Sequence, residues 1–113
     1  MTKGKIILVP FPFDNFSGTK VRPAICLTNE IGFYNHVVIA FISCRIPPSL
    51  EESDLLIEMK GQAFKATGLS VDSVIKLHRL VTIPKSLIKR QLGVFPANQQ
   101  AEIETKLKTL FEL

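Results

Sequence analysis

The spacing of apolar residues changes period once along the chain, near Pro84. Before that point apolar residues come in short runs separated by Gly, Pro, Asn and Ser, the punctuation of β-strands. Lys5-Ile6-Ile7-Leu8-Val9 is the first run. It leads into Pro10-Phe11-Pro12-Phe13, where two residues without an N–H predict a sheet edge or an exit from the ladder. Ala24 to Thr28 and His36 to Cys44 read as the second and third strands. Seven of the eight residues from Val37 to Cys44 are apolar, which predicts burial on both faces. Pro47-Pro48 ends that strand, and Ser49 to Asp54 is a polar, acidic connector. Leu55-Leu56-Ile57-Glu58 reads as a strand. Residues 61–72 read as a loop, with Gly68 allowing a tight turn and Leu69 pinning it to the core. Ser73 to Ile83 is the last long strand. After Pro84, Leu87, Ile88 and Leu92 predict a short helix. Ile103, Leu107, Leu110 and Phe111 form one apolar stripe on a C-terminal helix that begins near Asn98. Short strands followed by one amphipathic helix predict a mainly β fold, a small, strongly curved barrel with the helix packed on it.

At 113 residues the chain is expected to form one domain over residues 1–113. Its longest apolar run, Val37 to Ser43, is too short to cross a bilayer, so no membrane role is expected. Met1-Thr2-Lys3-Gly4-Lys5 passes straight into a strand with no small-residue cleavage site, which points to a cytoplasmic protein. The net charge of +4 favours an anionic partner. Cys26 and Cys44 both lie in apolar runs and are expected to be buried, reduced thiols. With no CxxC and no metal-ligand spacing to the two histidines, neither metal nor cofactor is expected.

Three groups of residues carry candidate chemistry. Arg22–Pro23 closes the polar loop Asp14-Asn15-Phe16-Ser17-Gly18-Thr19-Lys20. Proline holds the preceding backbone extended, and a guanidinium offers a planar donor fork that fits phosphate oxygens. A surface ion pair with Asp14 is the competing reading. Ser43 shares a strand face with Phe41 and Arg45. Its hydroxyl can bond a phosphate oxygen or, equally, its own backbone. Lys76 and His78 alternate onto one face of the last strand, opposite Ile75 and Leu77. Histidine moves protons near neutral pH and lysine steadies negative charge, although a solvated strand face explains both as well. His36 reads as a turn residue. Core packing accounts for most of Phe11, Phe13, Phe16, Phe33 and Tyr34. Phe13 and Phe16 flank the loop, where an exposed ring can stack on an unpaired base.

Four stretches in this order resemble the MazF/PemK family of toxin endoribonucleases, nearest its PemK-like branch. They are Gly4 to Phe13, Gly18 to Ala24, Ala40-Phe41-Ile42-Ser43, and Gly68-Leu69 leading to Ser73-Val74-Ile75-Lys76. The resemblance implies an SH3-like barrel, a homodimer, and metal-free, sequence-specific cleavage of single-stranded RNA through 2′-hydroxyl attack. It also implies a cognate antitoxin, with DNA binding in its company. Arg22 matches the family's catalytic arginine, and Ser43 stands where a threonine is usual. Lys76 falls where PemK-like members tend to be basic, and His78 where some are acidic; both complete the expected catalytic set. Ser17 falls where some members carry glutamate. RNA contacts are expected from Phe13, Phe16, Ser17 and Thr19 in the loop. Lys20, Arg45 and Arg79 are expected to add charge along the same path. Two alternatives are a degenerate module that binds RNA or antitoxin without cutting, and a CcdB-like toxin acting on gyrase.

Overall fold

The computed structural model describes residues 2–10 and 20–113. The contacts expected of Phe13, Phe16, Ser17 and Thr19, and the pairing with Asp14, fall outside these described residues. Six strands form one antiparallel sheet: β1 (Lys5–Pro10), β2 (Val21–Cys26), β3 (His36–Ser43), β4 (Asp54–Ile57), β5 (Ser73–Pro84) and β6 (Arg90–Val94). Their order across the sheet is β4-β5-β3-β2-β1-β6. A short helix α1 (Phe64–Thr67) precedes β5, and α2 (Gln100–Phe111) follows β6. No described helix is long and apolar enough to cross a membrane.

Alternation along the central strands fills two cores. Ile6, Ile25, Ala40, Ile42, Ile75 and Leu77 join Phe95, just after β6, and Ile103 of α2 on one face. Ile7, Val9, Ala24, Cys26, Ile39 and Phe41 form the other. Burial on both sides explains the unbroken apolar run of β3. On α2 the predicted stripe is buried only at Ile103, with Leu107 packed beside it, while Phe111 is left exposed.

Curling of the sheet brings α1, which follows one edge strand, against β6 at the other edge. Two glycines permit that approach. Gly68 caps α1 at φ 74°, and a Cβ added there would lie 2.1 Å from the Leu92 carbonyl oxygen. A Cβ on Gly93 would lie 2.2 Å from the Ala66 carbonyl oxygen.

The structure departs from the sequence expectation in several places. The helix expected around Leu87, Ile88 and Leu92 is a 3-10 turn over Lys85–Leu87 followed by β6. Pairing with the open edge of β1 satisfies backbone groups that a helix would have left on that edge. α1 lies inside the expected loop; four residues are too few to carry a helical period. β2 starts at Val21 rather than Ala24, because Pro10 to Leu8 pair with Val21 to Pro23. Phe33 and Tyr34 are 92% and 73% exposed at the tip of the β2–β3 hairpin, not in the core. His36 opens β3 and bridges to Ile31.

Across the hairpin base, the Thr2 hydroxyl donates to Glu30, and Lys85 Nζ lies 2.9 Å from Glu30 Oε2. The Thr2 bond first, then Lys85, lowers the Glu30 carboxyl from 4.5 to about 2. A lowered folded-state pKa contributes stability that is complete above 4.5 and is lost as pH falls toward 2. Glu30→Gln should therefore flatten the loss of stability between pH 4.5 and 2, read from urea melts across that window. Gly68→Ala and Gly93→Ala should each cost about 3 kcal/mol in guanidinium titrations, the scale of forced overpacking. Gly32→Ala, at φ 72° with nothing within 4 Å of the added methyl, should cost only about 1 kcal/mol for the left-handed backbone.

Candidate nucleic-acid interface

Arg22 owes its position to the strand register. β2 pairs β3 as Ala24↔Phe41, Ile25↔Ala40 and Cys26↔Ile39. Continued by two residues, that register sets Arg22 opposite Ser43. Leu27 N–H donates to Val38 O, so counting back by twos gives Pro23 a position whose N–H would have reached the Ile42 carbonyl. Proline has no such donor. The ladder stops at Ala24 and the ends of β2 and β3 are free to part. Arg22 and Ser43 lie just past the end of that ladder.

Both residues line a groove of about 460 Å³. Its far wall is Leu69-Ser70-Val71 and Ser73, delivered by the left-handed turn at Gly68. Ser43 Oγ accepts the Arg45 N–H at 3.1 Å. The local bond weighed in the sequence is thus made, yet it uses only a lone pair and leaves the O–H to donate.

Arg79 reaches the groove through a bulge. β3 and β5 pair as Ala40↔Leu80 and then Phe41↔Lys76, so one step on β3 spans four on β5. Leu77, His78 and Arg79 have no partner opposite on β3. Regular alternation fails there. Arg79 swings over the Phe41 ring, with Cζ 4.8 Å from its centroid. Arg22, Arg45 and Arg79 all line the groove, and no carboxylate or imidazole is among its described lining residues. Such a surface holds an anion or a chain of anions.

His78, in the same bulge, and Lys76, paired between Phe41 and Asp54, are not among the described residues lining the groove with Arg22 and Ser43, where they are expected. His78 lines a different cavity of about 510 Å³, shared with Glu51, Glu52 and, from α2, Lys106. Its Nδ1 lies 2.8 Å from Ser53 Oγ. Lys76 Nζ is 3.7 Å from Asp54 Oδ1, and His78 Nδ1 is 4.0 Å from the same oxygen. Asp54 is buried, and its other oxygen accepts the Glu51 N–H at 2.9 Å. Lys76 and His78 therefore gather around a carboxylate at the β4–β5 edge. Lys20 is exposed ahead of β2 and outside the groove lining.

Two parts of the groove escaped sequence reasoning. Leu69 is expected to pin a loop to the core, but Leu69, Ser70, Val71 and Ser73 also form a wall. Phe41 reads as a core residue and serves as the seat of Arg79. Among the described residues, no group of three His, Cys, Asp or Glu could hold a metal ion.

A family model for the PemK-like, MazF-like toxin of type II toxin-antitoxin systems matches residues 2–111. The chain belongs to this family. Solved MazF proteins share the fold. The Mycobacterium tuberculosis toxin MazF-mt6 superposes with a TM-score of 0.73 at 21% identity, covering 96% of this chain and 97% of that one. MazF from Deinococcus radiodurans gives 0.70 at 18% identity over 100% and 97%. A mycobacterial endoribonuclease solved with its cognate antitoxin gives 0.71 at 14% identity over 100% and 96%. Among curated proteins none matches.

The two cysteines of this MazF-like toxin differ, contrary to the expectation that both are buried. Cys26 is buried, which pushes its thiol up to about 11. Cys44 is exposed and lines the groove, because β3 ends one residue before it. A thiol reagent at pH 8 should modify one cysteine per native chain and two after denaturation. Peptide mapping should find the native label on Cys44.

Proposed function

We propose that this toxin is a metal-independent endoribonuclease that cuts single-stranded RNA. The observation that carries the reading is the presence of Arg22 and Ser43 in one groove with Arg45 and Arg79. RNA supplies its own nucleophile. The 2′-hydroxyl oxygen bonds to the adjacent phosphorus as the bond to the 5′-oxygen breaks. The 2′-proton is lost, the 5′-oxygen gains one, and the products carry a 2′,3′-cyclic phosphate and a 5′-hydroxyl. What remains for the protein is to orient the phosphate and stabilise the phosphorane.

In this reading the Arg22 guanidinium faces the phosphorane oxygens and the Ser43 hydroxyl donates to one of them. Arg45 and Arg79 add positive charge along the path of the RNA. Lys76 and His78 receive no role in the groove, given their engagement with Asp54 and Ser53. A cognate antitoxin is the partner, by extension from the mycobacterial endoribonuclease solved with one. A homodimer, a cytoplasmic setting and DNA binding with the antitoxin go with the same reading. A second reading, a module that binds RNA without cutting, is favoured by the lack of a carboxylate or imidazole among the described lining residues.

Primer extension on RNA incubated with purified protein and EDTA separates the two. Cleavage at defined sites is expected, and bound but intact RNA would establish the second reading. Arg22→Ala should lower the cleavage rate by about 100-fold to 1000-fold, the usual loss for one transition-state donor, with an unchanged thermal melt. A substrate with a single 2′-deoxy sugar at the scissile position should remain whole; cutting it would exclude 2′-hydroxyl attack.

A further inference from the structure

Within the groove the Arg79 guanidinium is seated on a ring, its Cζ 4.8 Å from the Phe41 centroid. Phe41 beneath it is only 6% exposed, while Arg79 itself is exposed. A cation held over a buried aromatic face is fixed in position rather than swinging on its stem. The guanidinium is flat, and a flat cation clamped on one side by a ring has a second face to offer. Arginine planes and aromatic rings are the surfaces on which unpaired bases stack. The groove is also not purely ionic. Val71, 48% exposed, and Leu69 add apolar surface to the wall formed after Gly68. Phosphates alone would leave that surface uncovered; a base beside a phosphate covers it.

We propose that Arg79, clamped by Phe41, is a base-stacking shelf for an unpaired nucleobase next to the phosphate held by Arg22 and Ser43. It is thereby a specificity-determining residue. The proposal rests on the endoribonuclease reading and adds to it a contact to a base where charge alone would contact only phosphate. Lysine at this position would keep the charge and lose the plane, so Arg79→Lys isolates stacking from electrostatics.

The test is a cycle between protein and RNA. Primer extension first maps a cleaved site, and oligonucleotides are then made with one abasic ribose at each of the two positions flanking the scissile bond. In the wild type one of these should lower kcat/KM by about 10-fold to 100-fold, the range for loss of one stacked base. In Arg79→Lys the same abasic change should cost less than about 3-fold, because the shelf is already gone. Phe41→Leu should move the wild type toward that behaviour. An abasic penalty of equal size in wild type and Arg79→Lys, at both positions, would overturn the shelf and leave Arg79 a phosphate contact.

The same cycle is run as affinity for uncleavable 2′-O-methyl oligonucleotides. If RNA binds uncut, the endoribonuclease reading fails while the shelf is still judged by whether the abasic penalty depends on Arg79. If the wild type does not bind RNA at all, both are overturned. The slope of log affinity against log salt should be unchanged in Arg79→Lys and smaller by about 0.7 in Arg79→Gln.

Discussion

The contact between α1 and β6 at Gly68 and Gly93 is the constraint on which the architecture turns. An open six-stranded sheet has two edges of unpaired backbone groups. Here the connection that leaves β4 at one edge packs against β6 at the other, at a backbone-to-backbone distance no side chain would permit. That closure curls the sheet and encloses one core beneath α2. Gly68 then aims Leu69 to Val71 into the wall of the groove. The left-handed turn that lets α1 meet β6 is also the turn that shapes the candidate site.

The groove exists because the ladder is broken in two places. At Pro23 a missing N–H ends the β2–β3 pairing, and Arg22 and Ser43 lie just beyond that end, in the groove lining. On β5 three residues without partners on β3 lift Arg79 out of strand alternation and onto Phe41. On β5 the Leu77 N–H, left without a β3 partner, donates instead to Ser53 O at 3.1 Å. Regular pairing would have left a closed sheet with no concave cationic surface.

The acidic edge formed by Asp54 keeps the rest of the β5 charges out of this surface. A buried carboxylate needs a nearby cation, and Lys76 answers it while His78 turns toward α2. Two ionisable residues that look like catalytic equipment in the sequence are thereby engaged at the start of β4, with Asp54 and Ser53.

Much of this protein is written locally. Runs of β-formers, proline stops and the single change of period announce the strands and α2, since these follow from neighbour-to-neighbour sterics and side-chain periodicity. Arg22–Pro23 and Ser43 stand out by residue type, and family resemblance joins them. Other features depend on partners distant in the chain. β6 forms because β1 has an open edge; its own period does not call for a strand. The bulge that separates Arg79 from His78 is a mismatch between two strands, invisible in either alone. Phe33 and Tyr34 read as core by composition, yet hairpin geometry puts them in solvent. Short-range chemistry thus named the elements and the arginine, and only long-range pairing decided which side chains share a groove.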